Sequence, residues 1–354
     1  GGLNMWMATS DDGVHWGQGA PVIRDAPFPV WKMFIHRIQD RFVLNHGSMS
    51  GHPGQHNDTL CFWESDDMLE WRYYGKSSDL TPDPRWYNTV GRCDHMYMIP
   101  KHEDDPGKGY WGYVTATSAP SWPHASIGMM ESENGRDWTW LPPPVFEWGN
   151  TPQQFMEVGG CEKLGDTYYL ILGARYNYLG NGGYSMFTFV SDSPTGPFRP
   201  DREAFRLCGN SHDLAEQGGT RGSIGVQTLG TFGRGRDGEI LLTNYTPTLW
   251  DEAGEKISLT PLKKALVDDD GHLRMGYWPG NEAMKGSQIP IDMSACTRLQ
   301  PPEIDEAHVI KGRGTRLELK DRKIPFERGA GGGVVALLEN RFDFAQGVIL
   351  EGII

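Results

Sequence analysis

The sequence predicts an all-β chain: a five-bladed β-propeller over residues 1–285, followed by a β-sandwich over 289–354. Three observations predict it. The 354 residues carry 46 Gly and 24 Pro, a density of turn residues that suits short strands rather than helices. A short motif recurs along the chain: Ser10-Asp11-Asp12-Gly13-Val14-His15-Trp16, Ser65-Asp66-Asp67-Met68-Leu69-Glu70-Trp71 and Ser132-Glu133-Asn134-Gly135-Arg136-Asp137-Trp138, with a degenerate copy from Ser191 to Phe198. Each copy follows a turn and an aromatic or β-branched run, as in Asp40-Arg41-Phe42-Val43-Leu44, Gly109-Tyr110-Trp111-Gly112-Tyr113 and Gly165-Asp166-Thr167-Tyr168-Tyr169-Leu170.

A repeat every ~55–67 residues with about four strands per unit is a propeller signature. A β-sandwich would not return to the same turn at the same strand position. The Ser-acid turn joins the outer strands of a unit, and its Trp is expected to pack between blades as core. Inner strands are expected near residues 28–36, 92–99, 155–163 and 224–232. The first unit, residues 3–23, holds only an outer half. The inner strand precedes the Ser by 34 residues from Glu157 to Ser191 and by 38 from Asp94 to Ser132. The same spacing from Ser10 places the first inner strand ahead of residue 1. The repeat ends after Asp192. From about Gln288 new alternating runs begin, such as His308-Val309-Ile310-Lys311-Gly312 and Arg316-Leu317-Glu318-Leu319, read as the sandwich, cut short at an apolar strand.

Composition narrows the partners. The net charge of −13, from 33 basic and 46 acidic residues, argues against a nucleic-acid backbone or an anionic membrane surface. No run approaches 18 apolar residues, so no membrane-spanning helix is expected. Five cysteines, widely spaced and without a Cys-x-x-Cys pair, give neither a disulfide framework nor a zinc site. No signal peptide is visible and the chain opens at Gly1-Gly2. The sequence does not specify an oligomeric state.

In a propeller the inner strands converge on the axis, so chemistry is expected early in each unit. Gly91-Arg92-Cys93-Asp94-His95 places an acid beside an arginine, which favours the ionised form; the alternative is a surface Arg–Asp pair. Glu157 lies among Phe155, Met156 and Val158 in a Gly-rich strand, where apolar surroundings favour a protonated carboxyl suited to general-acid work. The alternative is an outward-facing strand Glu. Two carboxylates on neighbouring inner strands are the arrangement that glycoside hydrolysis uses. Trp31 lies at the corresponding depth in the second unit, as a sugar-stacking floor or as core. Arg92 and His46, with Arg221 and Gln227 of the fifth unit, complete the candidate substrate contacts. His46, His52 and His56 match no standard metal spacing, so no metal and no cofactor is expected.

These motifs, in this order, resemble the five-bladed propeller glycosidases, closest to family 32 glycoside hydrolases (invertases, levanases, inulinases) and related to family 43. Arg92-Cys93-Asp94 is similar to that family's Arg-Asp-Pro motif, with Cys93 inserted and His95 in place of Pro. Glu157, in Met156-Glu157-Val158-Gly159-Gly160-Cys161, is similar to its Glu-Cys motif, without a Cys directly after the Glu, and Ser223-Ile224-Gly225-Val226-Gln227-Thr228 to its aromatic-Ala-x-Gln-Thr segment. The resemblance implies cleavage of terminal fructofuranosyl-like residues, with Glu157 as acid/base and Asp94 as transition-state stabiliser. The family's nucleophilic Asp lies on the first inner strand. Alternatives from the same resemblance are an inverting arabinofuranosidase or xylosidase of the family 43 type, and a sugar-binding propeller without activity. A secreted or periplasmic location is expected ahead of a cytoplasmic one.

Overall fold

The structure, a computed structural model, describes residues 4–26, 31–49, 57–119, 127–149, 151, 155, 157–175, 184–209, 211–213, 223–225, 228–251, 254–288, 297–300, 310–313, 316–319 and 335–337. The chain divides into two compact units, Gly1–Asn281 and Glu282–Ile354.

The first unit is all-β in a propeller-like arrangement, with four blades among the described residues. The strand pair β1 (Met5–Met7) and β2 (Ala20–Ile23) comes first. The first blade runs β3 (Trp31–Ile38), β4 (Arg41–Met49), β5 (Asn57–Ser65) and β6 (Arg72–Tyr73), each antiparallel to the one before. The second runs β7 (Cys93–Pro100), β8 (Tyr110–Ala116), β9 (Gly128–Ser132) and β10 (Thr139–Leu141). The third runs β11 (Glu157–Leu164), β12 (Thr167–Arg175), β13 (Tyr184–Ser191) and β14 (Arg199–Pro200), with β15 (Arg206–Gly209) also on β13. A small pair, β16 (Ser211–Asp213) and β17 (Ser223–Gly225), precedes the fourth blade. That blade has β18 (Thr228–Arg234), β19 (Ile240–Asp251), β21 (Lys263–Val267) and β22 (Leu273–Tyr277), with β20 (Gly254–Leu259) on the far part of β19. The innermost strands β3, β7, β11 and β18 lie side by side in that order.

A blade between two others is covered on both faces, so its central strands read as unbroken apolar runs rather than alternating ones. Tyr168-Tyr169-Leu170-Ile171-Leu172 in β12 is buried throughout, as is Trp111-Gly112-Tyr113-Val114 in β8. The largest core cluster joins the second, third and fourth blades through residues that include Tyr113, Phe187, Phe189, Phe232 and Leu242. A second lies between the first two blades, around Leu60, Phe62, Met96 and Trp140. Cys61, Cys93, Cys161 and Cys208 are buried, and none of them forms a disulfide among the described residues.

The repeated motif forms one turn three times. Ser10, Ser65 and Ser132 accept through Oγ from the backbone N–H three residues on, at 2.8, 2.8 and 2.9 Å. Asp12, Asp67 and Asn134 each accept through Oδ1 from the amides two and three residues on. The Trp residues do not behave alike. Trp138 is buried between blades as expected, and Trp71 is partly buried with its Nε1–H on the Met68 carbonyl at 2.8 Å. Trp16 is 52% exposed, a correction to its expected burial.

In the second unit the described strands β23 (Thr297–Gln300) and β26 (Val335–Leu337) pair with each other, as do β24 (Ile310–Arg313) and β25 (Arg316–Leu319). The sandwich expected over 289–354 falls mostly outside the described residues.

Candidate active site

Every innermost strand breaks register near its start: between Trp31 and Met33, Cys93 and Met96, Val158 and Gly160, and Thr228 and Thr231. A bulge bends its strand and re-aims the side chains around it. Asp94 lies inside the second of these bulges and Glu157 directly before the third. Two glycines make the third possible. Gly160 has φ +126°, and a Cβ there would meet the Tyr97 ring at 2.9 Å; a Cβ on Gly159 would meet the Gly230 carbonyl oxygen at 2.5 Å. Strands β7, β11 and β18 approach too closely at this level for larger residues.

Arg92 draws the two carboxylates together. Its backbone is fixed on Thr117, whose Oγ1 accepts from the Arg92 N–H at 2.9 Å while the Thr117 N–H donates to the Arg92 carbonyl at 2.9 Å. Its Nη2 donates to Oδ2 of Asp94 and lies 3.4 Å from Oε1 of Glu157. The Asp94 side chain is 2% exposed; those of Arg92 and Glu157 are 17% and 18% exposed. Two contacts to one nitrogen, each under about 4 Å, hold the two oxygens less than about 8 Å apart. The sequence placed Arg92 with Asp94 but gave Glu157 only apolar neighbours. Phe155 instead packs into the core, stacked on Trp148 at 5.6 Å, while Glu157 has the Arg92 guanidinium within 3.4 Å.

Sequence reasoning missed the groups beneath the carboxylates. The Asn45 side chain meets the backbone groups of Met96 just past the second bulge, donating from Nδ2 to the Met96 carbonyl at 2.8 Å and accepting from the Met96 N–H at 2.7 Å. His95 Nε2 lies 2.9 Å from the Val158 carbonyl oxygen, and Thr115 Oγ1 accepts from the Val158 N–H at 2.9 Å. Deeper along the same strands, Tyr97 donates its hydroxyl to Glu162 Oε1 at 2.7 Å, and Arg234 Nη2 reaches both Glu162 oxygens at 2.8 Å. Burial pushes the Glu162 carboxyl up, opposed by Arg234 and Tyr97. His36 accepts from the Met98 N–H at 3.2 Å, and burial with the nearby Arg234 charge lowers it to about 3. These four residues come from four different innermost strands. At ~3.3 Å per residue, Tyr97 lies about 10 Å farther along β7 than Asp94.

His46 is a correction. It was expected to contact substrate, yet it is wholly buried, with Nε2 accepting from Trp63 Nε1–H at 3.1 Å and Nδ1 on the Gly47 carbonyl at 2.9 Å. Burial lowers its pKa, so it holds β4 and β5 together as a neutral ring. Trp31 opens β3, opposite Gly47 in the ladder, and its side chain lies outside the described residues, as do Arg221 and Gln227.

No family model matches the chain, and no curated protein does. Solved structures share its propeller. A Bombyx mori GH32 beta-fructofuranosidase, also solved as a mutant in complex with sucrose, is 14% identical at a TM-score of 0.59, over 84% of this chain and 60% of its own length. A Cellvibrio cellulosa alpha-L-arabinanase mutant is 13% identical at a TM-score of 0.50, over 76% of this chain and 87% of its own. The chain thus spans 60% of the length of the Bombyx enzyme, and at these identities the likeness establishes the fold.

Proposed function

We propose that this chain is a glycoside hydrolase acting on terminal furanosyl residues, with Glu157 as the proton donor and Asp94 as the fixed anion. The observation that carries the reading is the single guanidinium of Arg92 reaching both carboxylates at the bulged ends of adjacent innermost strands. The propeller shared with a beta-fructofuranosidase and an arabinanase supports it. In this reading β1 and β2 are the outer pair of a fifth blade.

Glycosidic cleavage passes through an oxocarbenium-like state that needs a proton on the departing oxygen and negative charge near the ring. Glu157, the more exposed of the two acids, donates that proton and recovers one from the water that completes hydrolysis. Asp94, almost fully buried and held by Arg92, keeps its charge fixed and accepts from ring hydroxyls. The group that attacks the anomeric carbon is neither of these. Trp31, Arg221 and Gln227 are read as sugar contacts.

Kinetics on a furanoside with a poor leaving group and on its activated aryl counterpart test the roles. Glu157→Gln removes turnover of the first, by about 10²–10⁴-fold, the contribution of a positioned general acid, and spares much of the glycosylation step on the second. Asp94→Asn harms both alike. Equal losses for Glu157→Gln on both substrates would refute the assignment.

A further inference from the structure

On an innermost strand, alternate backbone N–H and C=O groups point away from the sheet and lack a ladder partner. On β11 the groups of Val158, the residue after Glu157, are taken by side chains of the neighbouring blade. Thr115 Oγ1 of β8 accepts from its N–H at 2.9 Å. His95 Nε2 of β7 lies 2.9 Å from its carbonyl oxygen and 3.3 Å from Thr115 Oγ1. The imidazole is wholly buried, and the Phe34 ring of β3 closes on it edge-first with centroids 4.9 Å apart. His95 directly follows Asp94, and Val158 directly follows Glu157. A single cross-blade clamp therefore sits one residue from each carboxylate. The two strands belong to different blades and share no ladder, so strand pairing does not set this spacing.

We infer that His95 is a positioning residue: through the Val158 carbonyl it fixes the separation of Asp94 and Glu157, and with it the reach of the proton donor. This rests on the glycosidase reading above. A misplacement of about 1 Å can cost on the order of 100-fold in rate. The loss falls where the proton matters, on poor leaving groups, whereas a general loosening of the blade would slow all substrates together.

The test uses the full chain and the same pair of substrates. His95→Phe keeps the ring contact with Phe34 and removes the N–H donor. His95→Gln keeps a side-chain N–H near the Nε2 position. Thr115→Val removes the other half of the clamp. Folding is checked by circular dichroism and thermal melting. His95→Phe and Thr115→Val should lose about tenfold or more in kcat on the poor leaving group relative to the aryl substrate, a fraction of the general-acid contribution, with KM changed less than about threefold. His95→Gln should return that ratio to within about threefold of wild type. Folded His95→Phe with equal losses on both substrates, or folded His95→Gln as impaired as His95→Phe, would overturn the inference. If both His95 variants fail to fold, an unchanged ratio in Thr115→Val overturns it. A wild type that hydrolyses neither substrate overturns the glycosidase reading and this inference with it, whereas an active wild type with insensitive variants overturns this inference alone.

Discussion

Gly160 takes φ +126° with its α-carbon against the Tyr97 ring, so one methyl group there brings two costs, backbone strain and a clash. Gly160→Ala should lower stability by roughly 1–3 kcal/mol, the cost of a non-glycine residue in such a region, and thermal melting measures it. Because the bulge aims Glu157, the folded fraction should also lose activity on poor leaving groups. A variant that melts like wild type would show that the strand has another way past Tyr97. Residue by residue, the site was legible where the signal was local. The Gly159-Gly160 pair and the carboxylates Asp94 and Glu157 stand out in the sequence as unusual company for a strand. Arg92 was legible as a partner of Asp94, two positions away, and as a candidate substrate contact, whereas its direct reach to Glu157 depends on the approach of two blades. Asn45, His95 and Thr115 gave no signal: each satisfies a backbone group brought near by tertiary folding. His46 was misread because a polar residue in an apolar run looks functional when its indole partner, Trp63, is 17 positions away.

At the level of the element, the outer turns show the repeat and its variation. The motif was legible as a recurring Ser, acid and Trp, but the acid directly after the Ser is not the one that caps. Asp12, Asp67 and Asn134, two positions after the Ser, hold the amides, and those amides lower the carboxyl pKa of Asp67. The residue that follows adopts positive φ in all three copies: Gly13 at +74°, Met68 at +63° and Gly135 at +69°. Met68 alone carries a side chain there. Met68→Gly should therefore stabilise the protein by roughly 0.5–1 kcal/mol, the relief of left-handed strain exceeding the entropy that glycine adds to the unfolded chain. A lower melting temperature than wild type would show that the Met68 side chain makes packing that outweighs the strain. The five-strand composition of the third and fourth blades was not legible, since β15 and β20 are additions decided by which open edge lies nearby.

For the molecule as a whole, joints between blades decide stability, and one of them titrates. His272, in the turn between β21 and β22, sets Nδ1 2.8 Å from Asp201 at the end of the third blade, with Glu203 3.5 Å from Nε2. The same turn receives the Tyr169 hydroxyl on the Gly271 carbonyl at 2.7 Å. The Asp201 hydrogen bond raises the His272 pKa. A histidine raised in the folded state contributes stability that is fully present below its unfolded value, near 6.5, and is lost as pH rises through the folded value. The melting temperature should therefore fall relative to His272→Gln as pH increases through and above neutrality. A difference between the two proteins that stays constant from about pH 5.5 to 8.5 would count against this joint as the titrating group. The contacts along the propeller axis carry a different consequence. Phe34 and His36 lie against Tyr97 with centroids 5.2 and 4.9 Å apart, and Tyr97 and Arg234 close on Glu162. Below the carboxylates these contacts tie the four innermost strands to one another. Losing any one of His36, Tyr97, Glu162 and Arg234 therefore loosens more than one blade at once, because each holds a partner from a different innermost strand.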